Sequence, residues 1–229
     1  DAAHVPGARF LDHMAVIGVR DGIQHQLASV DHLVDVLEAV GVSNDSRIII
    51  YGGAQVASRL FYTLDYLGLG GRASILDGGL EKWRQEGRPL SVELPTHARG
   101  SITPRTDERV TVNVDWVNER LDDTRYALLD VRSPGEYGDG AGHIPGAVNL
   151  PWQEVYQEED PGILKDAEAL RALFAGYGAT SEKTVVTYCQ IGMRASAVYL
   201  AARVAGLDVV MYDGSFLDWS RRSDLPVQR

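Results

Sequence analysis

The chain is poor in sulfur, in positive charge and in long apolar runs. Its 229 residues include one cysteine, Cys189, and three methionines. A lone thiol excludes an internal disulfide and any multi-cysteine metal site. Cys189 is therefore either a small buried hydrophobe or a reactive nucleophile. Lys and Arg number 22 against 32 Asp and Glu, a formal charge of −10. Such a chain repels phosphate backbones, which excludes general nucleic-acid binding and confines any anionic ligand to a local positive pocket. No apolar run approaches the ~18–20 residues a bilayer span needs, so no membrane partner is expected. The chain does not open on the charged, apolar and small-residue segments of a signal peptide, and a cytoplasmic location is expected. A periplasmic one stays open, because the start of the chain looks incomplete. P-loop, dinucleotide-binding glycine and zinc-ligand spacings are missing too. What remains, 45% hydrophobic and 24% charged residues, is the composition of an ordinary globular fold.

An internal repeat organises that fold. His4-Val5-Pro6-Gly7-Ala8 returns as His143-Ile144-Pro145-Gly146-Ala147. Ile48-Ile49-Ile50-Tyr51 returns as Val185-Val186-Thr187-Tyr188, and the segment from Asp77-Gly78-Gly79 to Trp83 returns as that from Asp213-Gly214-Ser215 to Trp219. The offset is nearly constant at about 137 residues, a domain-sized period, so the chain reads as a duplicated domain. The copies are placed at residues 1–91 and 110–229, with a linker over 92–109 that carries Pro, Gly, Ser and Thr without apolar periodicity. They are unequal. Val110 to Gly142 precedes the second His-Ile-Pro-Gly-Ala block, whereas only Asp1, Ala2 and Ala3 precede the first. The first copy therefore reads as truncated at its N-terminus, short of an opening helix and one strand.

Strands and helices alternate. In the second copy, 126–131, 184–188 and 209–212 read as strands, and 166–177 and 195–205 as helices, with a short helix over 214–220. Alternation predicts an α/β fold, each copy a mostly parallel sheet flanked by helices. Ligands of such sheets bind beyond the carboxyl ends of the strands. Cys189 stands there, one residue after a strand.

Cys189-Gln190-Ile191-Gly192-Met193-Arg194-Ala195-Ser196 then turns from strand into helix. Backbone N–H groups of such a loop, with a helix N-terminus behind them, stabilise an anion at its centre. Arg194 adds a fixed positive charge favouring a thiolate and any bound oxyanion. Gly192 allows a tight turn. In the first copy the counterpart loop runs Tyr51-Gly52-Gly53-Ala54, with Gly52 in place of the cysteine. That copy has no nucleophile.

The cysteine segment resembles the active-site loop of the rhodanese sulfurtransferases. So do Asp130-Val131-Arg132-Ser133-Pro134-Gly135-Glu136-Tyr137, Gly142 to Asn149, and Asp213-Gly214-Ser215 followed by Trp219. The whole chain resembles a tandem rhodanese, with two rhodanese-like domains, a first one lacking the cysteine and a second, catalytic one. The resemblance implies sulfane-sulfur transfer from thiosulfate to cyanide or a thiol through a Cys189 persulfide, with ping-pong kinetics and no metal or organic cofactor. It implies substrate contacts from Arg194 and from Gln190, Ile191, Gly192 and Met193. Asp130, Arg132 and Ser196 are expected to support them. Donor and acceptor would be small molecules. A 3-mercaptopyruvate donor is one alternative, and a persulfide carrier serving a thiol protein is another. Cysteine phosphatases place five residues between Cys and Arg; here there are four, Gln190 to Met193, a ring better suited to one sulfur atom. Many tandem relatives carry a substrate-binding Arg where this chain has Glu136, a carboxylate expected to repel thiosulfate and leave Arg194 to hold the anion alone.

Other residues read more plainly. Asp130 either orients Arg194 or the cysteine loop through a salt bridge, or caps its own strand. Arg132 is expected to pair with acidic groups of its own domain. His143 and its twin His4 share a structural role at a turn, and Trp83 and Trp219 read as paired core anchors. Residues 153–160 form an acidic solvated face. Gly68 to Gly71 stop a helix rather than cradle phosphate.

Overall fold

The computed structural model describes residues 3–138 and 140–229. Asp1 and Ala2, two of the three residues on which the reading of a shortened first copy turns, lie outside that range.

In the first copy a short 3-10 helix at His13–Val16 leads into a hairpin, β1 (Ile17–Arg20) and β2 (Ile23–Leu27), paired antiparallel. Then come α1 (Val30–Ala39), β3 (Ile48–Ile50), α2 (Ala54–Tyr66), β4 (Ala73–Ile75) and α3 (Gly79–Gln85). Strands β3 and β4 pair in parallel as a two-stranded sheet. The second copy runs β5 (Thr111–Val112), α4 (Val114–Asn118), β6 (Tyr126–Asp130), α5 (Pro134–Tyr137), β7 (Val148–Asn149), α6 (Ala167–Gly176), β8 (Thr184–Tyr188), α7 (Met193–Val204), β9 (Val209–Tyr212) and α8 (Ser215–Trp219). Its five strands form one parallel sheet in the order β5-β9-β8-β6-β7. Thr184-Val185-Val186-Thr187-Tyr188 is β-branched and almost wholly buried. That is what a central parallel strand covered on both faces requires.

The fold is thus α/β with parallel sheets flanked by helices, and the antiparallel hairpin is an addition to the expected pattern. The copies also differ in depth. In the second, β8 lies between β6 and β9. In the first, among the described residues, the matching β3 pairs with β4 alone, and Ile49 is 69% exposed.

The repeat holds down to single hydrogen bonds. His4 bridges to Ser91 and His143 to Gln228, each pair exchanging both backbone bonds at 2.8–2.9 Å. Trp83 Nε1 donates to the Pro89 carbonyl and Trp219 Nε1 to that of Pro226, both at 2.8 Å. Trp219 is fully buried against Tyr212. Trp83 is half-exposed on a helix that buries no residue, so it clasps a turn and is not the core anchor its twin is.

The twin helices α2 and α7 pack on each other between the copies. Tyr62 and Tyr199 meet edge to face at 5.3 Å. Tyr199 Oη donates to Asp65 at 2.7 Å, and Arg203 pairs with the same carboxylate. One apolar cluster runs through both copies, from Leu33 and Tyr62 to Val198 and Met211. The linker is strapped to the first copy. Gly100 N–H donates to Glu38 O, the Ile102 amide to the Glu38 side chain, and Arg105 N–H to Leu67 O. Gly100 lies so close to Val42 that a side chain there would overlap its carbonyl group.

Candidate active site

Strand β8 delivers Cys189 to the carboxyl edge of the sheet, and α7 begins four residues later. Gly192, at φ +84°, makes the turn between them. This left-handed conformation is open to glycine at little cost. The turn carries the Gly192 N–H back onto Cys189 Sγ, at 3.1 Å. The Cys189 amide donates to Ser215 Oγ at 3.2 Å, and the Cys189 carbonyl accepts from Phe216 at 2.9 Å. The loop is therefore laced to the first turn of α8. Ser196, in the first turn of α7, donates its hydroxyl to the Met193 carbonyl at 2.7 Å.

The thiol is enclosed, with no exposed surface. Around it Gln190, Ile191, Met193 and Arg194 are half-buried. One backbone N–H bonds the sulfur where several were expected, and a guanidinium stands beside it. Arg194 is held above its ordinary value by its bond to Glu136 first, and also by Cys189, while desolvation pulls the other way. The Gly192 N–H and the Arg194 guanidinium are the polar groups beside the sulfur, and Cys189 also belongs to the apolar cluster shared by the copies.

Glu136, and not Asp130, is the partner of Arg194. Arg194 Nη1 and Nη2 donate to the two Glu136 oxygens at 2.7 and 2.8 Å. The bond to Arg194 lowers the carboxyl of Glu136 to about 2, so it stays ionised at any working pH. Glu136 is fixed in turn by Ser133, in a capping box that starts α5. Asp130 is bonded to Arg132 at 2.6 Å, with both side chains buried. Arg132 also donates to the Gly142 carbonyl and lies 4.1 Å over the ring of Phe216, in α8. Of the two readings of Asp130, the local one fits the geometry: its carboxylate accepts the Arg132 amide and guanidinium two residues on, and its ion pair is with Arg132 and not with Arg194. Arg194 stands beside the sulfur already paired with Glu136.

The first copy reaches into this site, which the sequence reading missed. Arg59, on α2, is fully buried. Its Nη1 donates to Asp213 Oδ1 at 2.5 Å and its Nη2 to the His25 carbonyl at 3.2 Å. Burial opposes the charge on Arg59, and Asp213 overrides it, so its pKa is raised. Asp213 Oδ2 also accepts the Leu27 amide of β2 at 2.6 Å. This cross-copy cluster abuts the cysteine loop: a Cβ on Gly192 would lie 2.9 Å from Asp213 Oδ1 and 3.1 Å from Arg59 Nη1. The available signal was an arginine two residues ahead of the largely apolar run Phe61-Tyr62-Thr63-Leu64 on α2.

Gly192→Ala is expected to cost about 2 kcal/mol, from a strained positive φ and from that contact, and to lower turnover as the Gly192 N–H moves off the sulfur. Thermal melting and kcat together check it; a variant that melts and turns over like its parent would mean the turn is slack.

A groove of about 720 Å³ lies between the copies and is lined by Arg20, Asp107, Trp116, Tyr199 and Arg222, not by Cys189. A smaller one of about 270 Å³ sits over Gly52 and Gly53, the counterpart of the cysteine loop. Among the described residues no group of three or more His, Cys, Asp or Glu could hold a metal ion, and no helix is long and apolar enough to cross a membrane.

Comparison with known proteins agrees with this geometry. The chain matches the Rhodanese-like domain family over residues 1–86 and 113–222. It is 32% identical to the sulfur carrier protein TtuD of Thermus thermophilus, over all of this chain and 86% of that protein. It is 31% identical to the thiosulfate sulfurtransferase of Rattus norvegicus, over 96% of this chain and 78% of that one. To the 3-mercaptopyruvate sulfurtransferase of Escherichia coli it is 32% identical, over 98% of this chain and 83% of that one. The crystal structure of SseA from Escherichia coli superposes with a TM-score of 0.82 at 28% identity, covering 93% of this chain and 83% of that one. The longer solved chain EanB, of which this chain covers 59%, shares the fold at a TM-score of 0.87 and 22% identity. With two matched segments, and a cysteine loop closing the second sheet, the chain belongs to the rhodanese family of sulfurtransferases.

Proposed function

We propose that the chain moves sulfane sulfur from thiosulfate to a thiophilic acceptor, cyanide or a small thiol, through a persulfide on Cys189. The observation that carries this reading is the Gly192 N–H aimed at Cys189 Sγ at 3.1 Å, with the Arg194 guanidinium alongside. The Cys189 thiolate attacks the outer sulfur of the donor. A sulfur–sulfur bond forms on the cysteine, the bond to the sulfonate sulfur breaks, and its electron pair leaves with sulfite. The acceptor then attacks the terminal sulfur and the thiolate returns. The Gly192 N–H stabilises the anionic sulfur in both states, as donors in an oxyanion hole stabilise oxygen. Arg194, with the N–H donors that Glu136 leaves free, meets the anionic donor beside the sulfur. The first copy holds the loop in shape through Arg59 and Asp213. A cytoplasmic setting, which keeps a lone thiol reduced, belongs to this reading.

The Glu136–Arg194 pair favours a second reading, in which the donor is the monoanion 3-mercaptopyruvate. The similarity to a sulfur carrier protein favours a third, a persulfide carrier that discharges to a protein thiol. After thiosulfate treatment, intact-mass analysis is expected to show one added sulfur atom on Cys189, removable by cyanide. No added mass with thiosulfate, alongside added mass with 3-mercaptopyruvate, would move the assignment to the second reading. Fast discharge to one protein thiol with slow discharge to cyanide would move it to the third.

A further inference from the structure

Arg194 faces the sulfur and Glu136 together, and Glu136 is fixed independently of it. Glu136 Oε2 accepts the Ser133 amide at 3.1 Å and the Ser133 hydroxyl at 2.8 Å. Arg194 then docks on this prepared carboxylate with two parallel bonds. A guanidinium has five N–H donors in a rigid fork, and two of them are committed here. The charge is committed as well. A donor nearing the Cys189 thiolate meets one positive group between two negative ones. The pair is only partly screened by water, with side chains 23% and 37% exposed. We propose that Glu136 is a specificity-determining residue: by neutralising Arg194 it weakens the capture of dianionic sulfur donors relative to donors with one negative charge.

The inference rests on Cys189 being the sulfur acceptor. Thiosulfate and methanethiosulfonate form a matched pair for testing it. Both present a terminal sulfur on a tetrahedral sulfonyl sulfur, and they differ by one negative charge. In each case the thiolate pair forms the new sulfur–sulfur bond. The bond to the sulfonyl sulfur breaks, and its electron pair leaves on sulfite or on methanesulfinate. Charge balances without a proton or an external oxidant.

The experiment compares kcat/KM for the two donors, with excess cyanide as acceptor, in the parent chain and in Glu136→Gln. Glutamine keeps the shape and a hydrogen-bond acceptor and removes the charge. Since Coulomb energy scales with donor charge, the dianion should gain the square of what the monoanion gains: about tenfold for thiosulfate against about threefold for methanethiosulfonate, both shrinking as salt is raised. Glu136→Ala, which also drops the contact with Ser133, should shift the donor ratio in the same direction. A ratio unchanged in both variants, or one that turns against thiosulfate, overturns the inference. Mass analysis of Cys189 runs beside the kinetics. A persulfide with an unchanged ratio removes the specificity role alone, whereas no persulfide from either donor removes the sulfur-transfer reading and this inference with it.

Discussion

Cys189→Ala is expected to abolish sulfur transfer, by at least about a thousandfold, while the chain folds and melts close to its parent. The size of the loss follows from the absence of any substitute. The chain has one cysteine, and its repeat places Gly52 at the matching position of the first copy. Ser196 cannot stand in, because its hydroxyl is bonded to the Met193 carbonyl. The small effect on folding follows from the wall of the loop. The contacts that shape it are made by the Cys189 amide and carbonyl, to Ser215 and Phe216, and alanine keeps both. Deleting one buried sulfur removes a small apolar volume and costs about 1 kcal/mol. Cyanide-dependent turnover and thermal melting check both halves. Residual turnover within tenfold of the parent would place the nucleophile elsewhere, and a collapse in melting temperature would make Cys189 a core residue before a catalytic one.

The sequence made the second copy's frame legible. Strands β8 and β9 fall on their expected bounds because β-branched runs there end abruptly at turn residues. The helix after the cysteine loop begins at Met193 where Ala195 was expected, since Gly192 in its left-handed turn, and not a capping side chain, sets the start. The hairpin β1–β2 is faint in the sequence, where Asp21-Gly22 marks its turn but its strands carry no long apolar run. Within the site, Asp130 carries two readings in the sequence, a salt bridge toward Arg194 or the cysteine loop and a cap on its own strand, and the local one fits, with Arg132 two residues away as its partner. Arg194 finds Glu136, which its capping box had already positioned. The Ser133-Pro134-Gly135-Glu136 spacing carried that information as a helix start. Arg59 was beyond the reach of the repeat, because its position has no charged twin on α7. Only tertiary packing of α2 on α7 turns its side chain toward Asp213.

That cross-copy pair yields the other large effect. Arg59→Met is expected to destabilise the chain by about 3–5 kcal/mol, because it strands a buried carboxylate without its cation. Arg59 is fully buried and the Asp213 side chain is 5% exposed, so water cannot replace the lost partner. Leu27 N–H would remain as a donor to Asp213, and one neutral hydrogen bond does not offset the lost charge. Asp213→Asn should also be costly, leaving Arg59 unpaired. The double variant, Arg59→Met with Asp213→Asn, should lose clearly less than the sum of the single variants, because neither charge is then left alone. Activity should not recover with stability: Asp213 and Arg59 press on Gly192, and Gly192 holds the N–H that faces the sulfur. Thermal melting of the parent and the three variants, with kcat for each, separates the two roles. Additive losses would show that the two side chains act independently across the interface. A double variant with full turnover would show that the first copy braces the second without shaping its cysteine loop.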